Sequence, residues 1–286
     1  MTIYISTGGF KELSADKTSE KFFENGITEI ELSGGVYEPN LIENLSNLIN
    51  RGMKFQLHNY FPPPEKPFVL NLASNDTEIQ KLSLNHVFKA IQSCGKLKSN
   101  TYSFHAGFLC DFKVSEIGKK INKRALYNRE KSKNIFQENI IKISEVAKKN
   151  GINIMIENNV LSRKNIEEFK GNPFLMCDPE ETKEIAKNLP NNVSLLVDVA
   201  HLKISSNSLN FKIEDFFSNC NSFIKGYHLS DNDGLSDTNG KISKNSWFWN
   251  YLNKDLNYYS LEIYKESFDV LNKTKNLCSE ILNKKN

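Results

Sequence analysis

The chain has 286 residues, 39% of them hydrophobic, and carries 37 Lys and Arg against 34 Asp and Glu, a formal net charge of +3. That length and apolar content are enough for one large core, and so mild a charge gives no reason to require a nucleic-acid partner. No window approaches the roughly 18 apolar residues of a membrane span, and "MTIYISTGGFKELSADKTSEKFFENG" turns polar too early for a cleaved leader, so a soluble, cytoplasmic protein is expected.

In chain order, "TIYIS" at 2–6 is followed by the helix-like "SADKTSEKFFENG", "TEIELS" at 28–33 by "NLIENLSNLINRG", and "KFQLHN" at 54–59 by "DTEIQKLSLNHVFKAIQSCGKL". "YSFHA" at 102–106 precedes "SKNIFQENIIKISEVAKKNG", "INIMIEN" at 152–158 precedes "DPEETKEIAKNL", and "SLLVDV" at 194–199 precedes "IEDFFSNC". "GYHLS" at 226–230 leads to the Trp-rich "SWFWNYLNK", read as a seventh helix, and "YSLEIY" at 259–264 to "KESFDVLNKTKNLCSEILNKK". Short β-rich runs alternating with stretches of i, i+3, i+4 apolar spacing are the pattern of βα units on a parallel sheet. Eight strands and eight helical segments predict an α/β fold, a (β/α)8 barrel forming one domain over residues 1–286. Gly26, Gly52 and Gly151 stand just before strands, where a left-handed helix C-cap is easiest for glycine. The longest connections, 60–75, 107–130 and 159–178, follow strands three, four and five, on the face where barrel sites form. Cys94, Cys110, Cys177, Cys220 and Cys278 are widely spaced without a C-x-x-C pair, so they read as reduced and structural.

Side chains of metal-ligand type recur at the C-terminal ends of these runs. His58 ends strand three, His105 strand four, Glu157 strand five, Asp198 with His201 strand six, His228 strand seven and Glu262 strand eight. A lone histidine near an apolar strand is more often a satisfied core residue, and that reading is kept for His86 inside the third helix. It does not explain four of the five histidines lying at one face. Carboxylates and imidazoles in an apolar barrel mouth need partners or a cation. Glu157, Asp198, His228 and Glu262 together make a mixed oxygen and nitrogen site suited to Mn²⁺, Co²⁺, Zn²⁺ or Mg²⁺.

"FHAGF", "MIENN", "LVDVAH", "HLSDNDG" and "SLEIY", in that order and at strand spacing, resemble the xylose isomerase-like TIM-barrel superfamily. That superfamily includes sugar and sugar-phosphate isomerases and epimerases and the type IV AP endonucleases, and the resemblance covers nearly the whole chain. It implies that Glu157, Asp198, His228 and Glu262 are the ligands of a principal metal, and that His201 is a nearby substrate or second-metal residue. In the endonuclease branch, positions matching His58 and His105 bind a further metal with the counterpart of Glu157. The chain departs from the hydrolase branch at "SDTNGK", where a D-x-H pair is replaced by Asp237, Thr238 and Asn239. Asn is a poor substitute for imidazole on zinc, which argues against a full trinuclear site.

Two glutamates, Glu157 and Glu262, on strands three steps apart suit proton transfer beside a carbonyl: one removes the proton and the other returns it, through a metal-stabilised enediolate. The reading is therefore a metal-dependent sugar or sugar-phosphate isomerase or epimerase. The alternatives are a metal-dependent phosphoesterase like the AP endonucleases, favoured by His58 and His105, and a related sugar dehydratase. A small sugar is the expected partner; the oligomeric state is left open, a homo-oligomer included. Tyr60 and Phe61 in "HNYFPPPEKPF", Trp247 and Trp249 in "SWFWNY", and Asn239 are candidate substrate contacts, although such aromatics also serve as core. Residues 113–133 hold eight Lys or Arg against two Glu, read either as a solvated lid or as a phosphate clamp using Lys119, Lys120, Lys123 or Arg124. Asp233 reads as a turn-forming residue before Gly234. Glu31, after strand two, is close enough in sequence to the mouth to reach it.

Overall fold

The computed structural model describes residues 1–116 and 121–284, so Lys119 and Lys120 lie outside the described residues. Eight parallel strands, β1 (Thr2–Ser6), β2 (Glu29–Leu32), β3 (Lys54–His58), β4 (Thr101–His105), β5 (Asn153–Glu157), β6 (Val193–Asp198), β7 (Ile224–Leu229) and β8 (Tyr258–Leu261), follow one another around a ring. Pairing of β8 with β1 closes it into a (β/α)8 TIM barrel.

Strict alternation along each strand explains both layers of the interior. Ile3 and Ile5, Ile154 and Ile156, Leu195 and Val197, and Tyr227 and Leu229 point outward into the main core beneath the helices. Met155, Leu196 and Tyr258 form a separate cluster inside the barrel. They close around Gly226, where an added Cβ would lie 2.9 Å from the Tyr258 ring and 3.1 Å from Leu196 and Met155, so only glycine lets this plug pack. Two residues further along the same inward faces come Glu157, Asp198 and His228, with Glu262 beyond β8, all buried. The polar layer thus rests on an apolar floor at the C-terminal end of the strands.

The helices are α1 (Ala15–Glu24), α2 (Leu41–Asn50), α3 (Thr77–Lys96), α4 (Arg129–Lys149), α5 (Arg163–Phe169), α6 (Pro179–Lys187), α7 (Val199–Leu209), α8 (Ile213–Cys220) and α9 (Phe268–Asn283). Their starts are capped by side chains that satisfy otherwise unpaired N–H groups. The Asp76 carboxylate accepts from Glu78 N and Ile79 N, Asp178 precedes a Pro at the first helical position, and Ser267 accepts from Val270 N. Gly26, Gly52 and Gly151 all have positive φ, as their positions before strands predict. All five cysteines are free and buried.

Two elements differ from the sequence reading. The seventh helix shrinks to a single 3-10 turn, Trp247–Asn250, because Phe248 and Trp249 are both driven into the core and leave no polar face. The short α5 and the whole of α7 were not foreseen. α7 begins directly at the end of β6, since the Asp198 carboxylate accepts from His201 N at 2.8 Å and turns the strand end into a helix cap. Val197 and Val199 read as strand residues and hid this start. None of the described helices is long and apolar enough to cross a membrane.

Candidate functional site

The barrel mouth gathers Glu31, His58, His105, Glu157, Asp198, His201, His228, Asp237 and Glu262. One ligand atom from each of Glu157, Asp198, His228 and Glu262 fits within a 4.8 Å span, and all four residues are buried. A second group, His58, His105 and Glu157, meets the same limit and shares Glu157 with the first. His58 Nε2 and His105 Nδ1 stand 3.3 and 3.4 Å from Glu157 Oε2, while His201 Nδ1 and His228 Nδ1 each stand 3.3 Å from its Oε1. One carboxylate therefore sits at the centre of four imidazoles.

Around this centre, asparagines and serines fix the polar side chains. His58 Nδ1 lies 2.9 Å from Ser103 Oγ. His201 Nδ1 donates to the Asn158 carbonyl at 3.1 Å, and its Nε2 lies 3.3 Å from Asp237 Oδ2 and 3.9 Å from Asp198 Oδ2. The Asn158 side chain ties β5 to β6 by donating to the Asp198 carbonyl and accepting from Asp198 N. Asn159 donates to the carbonyls of Ala106, Gly107 and Leu175, which holds the two neighbouring loops to the barrel rim. The "MIENN" asparagines are thus scaffold for the carboxylate beside them. On the opposite side, Ser6 Oγ donates to Glu262 Oε1 at 3.2 Å.

The charge states follow from burial and from these neighbours. Burial opposes ionisation of Glu157, but the imidazoles of His105, His228 and His58 outweigh it and hold the carboxyl well below the usual range. Burial lifts Glu262 to about 8, opposed by His228 and reinforced by Glu157, Asp198 and Glu31. Asp198 is raised to about 6 by burial, with His201 working the other way. Burial lowers His58 to about 3 and also lowers His105. His201 and His228 lie well above an ordinary imidazole, because facing carboxylates overcome the cost of burying their charge.

The donor set fits a divalent cation on a further observation. Glu157 Oε2 and Asp198 Oδ2 are buried without a hydrogen-bond donor, an arrangement that costs free energy unless something positive binds them. A mixed carboxylate and imidazole set suits Zn²⁺, Mn²⁺ or Co²⁺, and its oxygens suit Mg²⁺. Asp237 lies at the edge beside His201. Asn239 is buried with φ 46°, its carbonyl accepting from Tyr264 N at 3.0 Å.

Several candidate substrate contacts prove to be structural. Phe61 is fully buried in the main core. The ring of Tyr60 stacks on His86 at 5.3 Å and its hydroxyl accepts from Phe68 N, so it faces α3 and its own loop. His86 itself sits in α3 with Nε2 donating to the Asn59 carbonyl at 3.2 Å, as a satisfied core histidine. Trp249 is buried with its indole N–H donating to the Ser243 carbonyl, and Trp247 packs on Phe248 and Tyr251, so both belong to the helix layer. The guanidinium of Arg124 is taken up by Glu116 and by the carbonyls of Asp111 and Asn122, which leaves it no free fork for a phosphate. Lys123 remains exposed on that loop. Asp233 caps its turn by accepting from Leu235 N and Ser236 N, as read from the sequence.

Tyr264 was not singled out from the sequence. Its ring covers the "STGGF" turn so closely that a Cβ on Gly8 would lie 2.3 Å from the hydroxyl oxygen, which explains the paired glycines. Burial first, and then Glu262, Asp237, Glu157 and Asp198, raise its hydroxyl well above the ordinary range, so it stays neutral near the acidic cluster. Its place two residues beyond Glu262, on the same alternation, is the signal that pointed to it.

The family model described as xylose isomerase-like TIM barrel matches residues 21–273. None of the curated proteins matches the chain in sequence. Among solved structures, a D-tagatose 3-epimerase-like protein is 22% identical with a TM-score of 0.72, covering 99% of this chain and 97% of its own. The 3-keto-D-glucoside 4-epimerase YcjR from E. coli is 14% identical with a TM-score of 0.66, covering 98% of each chain. The D-psicose 3-epimerase from Clostridium cellulolyticum H10, solved with D-tagatose, is 14% identical with a TM-score of 0.63, covering 99% of this chain and 94% of its own. At these identities the likeness is one of fold.

Proposed function

The chain belongs to the xylose isomerase-like TIM barrel family, and from that premise we propose that it is a divalent-metal-dependent sugar or sugar-phosphate isomerase or epimerase. The observation that carries this reading is the convergence of two glutamates, Glu157 and Glu262, with Asp198 and His228 on one buried four-residue group. Glu157, Asp198, His228 and Glu262 would hold the cation, whose charge stabilises the oxyanion formed when a C–H beside a sugar carbonyl loses its proton. Glu157, kept ionised by its imidazoles, takes that proton. Glu262, the other glutamate of the group, returns one to the opposite face or to the adjacent carbon. His201, held by Asp237 and the Asn158 carbonyl, and the Tyr264 hydroxyl would orient sugar oxygens. The structural relatives, sugar epimerases and an epimerase-like protein by name, support the same class.

A second reading, phosphoester hydrolysis, is favoured by the group His58, His105 and Glu157, which offers a place for a further cation. Against it stands Asn239 in place of an imidazole. The test is proton exchange: protein loaded with Mn²⁺, then with Mg²⁺ for spectroscopy, is incubated in D₂O with a panel of ketoses, aldoses and their phosphates. NMR should show deuterium entering beside the carbonyl of at least one sugar, and a chelator should stop it. No incorporation across the panel, with two or more ions bound per chain, would overturn the isomerase reading in favour of hydrolysis.

A further inference from the structure

Beneath the mouth lies a carboxylate that the proposed chemistry does not use. Glu31 is fully buried, and it enters the barrel from β2, in register with Ser6 on β1 and Gln56 on β3. Its Oε2 lies 2.9 Å from His228 Nε2 and accepts a second hydrogen bond from the Tyr258 hydroxyl. No Lys or Arg is paired with it among the described residues, and its Oε1 has no donor. Tyr258 belongs to the apolar plug with Met155 and Leu196, so the acceptor is anchored from below.

Burying a carboxylate costs desolvation even when imidazoles and a hydroxyl pair with it, and where such a group serves only packing, an apolar residue of similar volume does as well or better. What Glu31 does achieve is directional. A carboxylate accepts only, so without a cation both nitrogens of His228 donate, Nε2 to Glu31 and Nδ1 to Glu157 Oε1 at 3.3 Å with Glu262 Oε1 at 3.7 Å; a cation among those mouth carboxylates would take the place of the Nδ1 proton and leave the Nε2 proton on Glu31. We infer that Glu31, seated on Tyr258, is a positioning residue that selects the tautomer and ring orientation in which His228 offers Nδ1 to a cation at the mouth. The inference rests on the metal reading above and extends it one layer inward. The negative charge of Glu31 also makes the imidazole a better donor to that cation, as outer carboxylates do for ligating histidines. The same three residues Glu31, His58 and His228 also satisfy the spacing of a cation site of their own. The hydrogen-bonded proton between Glu31 and His228 argues for orientation over ligation.

The experiment compares the full-length protein with Glu31→Gln, which keeps the shape and an acceptor oxygen but removes the charge. Mn²⁺ binding is measured by titration calorimetry, bound ions are counted by elemental analysis, and the metal-free proteins are melted in parallel. Affinity at the mouth should fall about 10- to 100-fold, with the ion count unchanged and the melting temperature of the metal-free form unchanged or higher. Long-range ¹H–¹⁵N spectra of the Zn²⁺-loaded wild type should show His228 protonated at Nε2 and coordinated through Nδ1. Equal affinity in the two proteins, or coordination through Nε2, would overturn the inference while leaving the metal reading intact. Loss of one ion per chain in the variant would also overturn it, by making Glu31 a ligand. A wild type that binds no Mn²⁺ would overturn the metal reading, and this inference with it.

Discussion

Glu157 and Glu262 are the same residue type a few ångströms apart, yet their surroundings drive them in opposite directions. Four imidazoles approach Glu157, whereas Glu262 meets one distant imidazole, a serine hydroxyl and other carboxylates. That difference holds the Glu157 carboxyl well below the usual range and lifts Glu262 to about 8, with no change of residue type between them. Glu262→Gln keeps the size of the side chain and can still accept from Ser6, so the barrel should fold normally. Turnover should nevertheless fall by about 10²–10⁴-fold, the usual contribution of a positioned acid or base. Steady-state kinetics alongside circular dichroism decides it: a folded variant with wild-type rate removes Glu262 from the proton path.

At the scale of the element, α3 carries a histidine with no part in the site, and it makes a clean pH marker. His86 is lowered to about 4 by burial, the Asn59 carbonyl partly opposing, against 6.5 for a free imidazole. Above pH 6.5 neither state holds the proton, and His86 adds no pH dependence. Between 6.5 and 4 the unfolded chain binds a proton that the folded chain refuses, so stability falls as pH falls; below 4 both bind it. At about 1.4 kcal/mol per pH unit, the loss attributable to His86 is roughly 3 kcal/mol. His86→Gln keeps a donor for Asn59 and does not titrate, so urea melts at pH 7, 5.5 and 4.5 should show a shallower acid loss than the wild type. Parallel curves would mean that His86 is not buried neutral. The strands of the barrel, and the polar side chain that ends each of strands three to eight, were legible in the sequence because a period of two and a C-terminal polar residue are local signals. α7 was not, because Asp198 ends a strand and caps a helix at once. Nor were the fates of Tyr60, Phe61, Trp247, Trp249 and Arg124. Residue type alone cannot tell whether an aromatic faces the mouth or the helices, or whether a guanidinium already has partners from the same loop. The pairing of Glu31 with His228 depends on which residues meet across the ring, and that is a property of barrel register.

For the whole molecule, the site is a concentration of carboxylates held in an apolar shell, and folding must bear that repulsion. Glu31, Glu157, Asp198 and Glu262 are all buried, and Glu157 Oε2 and Asp198 Oδ2 lack donors among the described residues. The loops above are packed by a cluster of their own, in which Cys110, Leu161, Phe169, Phe174 and Cys177 join the connections after β4 and β5. The mouth is consequently a rigid frame with strained electrostatics inside it. A cation that binds the folded chain and not the unfolded one relieves the strain and stabilises the fold by mass action. At a free concentration 100-fold above its dissociation constant the gain is about 2.7 kcal/mol, enough to raise the melting temperature of a chain this size by roughly 5 °C or more. Scanning calorimetry of chelator-treated protein, repeated with Mn²⁺, Zn²⁺, Co²⁺ and Mg²⁺ in turn, should show that rise for at least one of them. Asp198→Asn tests its origin: the amide relieves the repulsion without a metal, so the metal-free variant should melt at or above the metal-free wild type and gain less from the ion. A wild type whose melting is unmoved by every one of the four ions would mean that the facing imidazoles alone compensate these carboxylates, and the metal reading would fall.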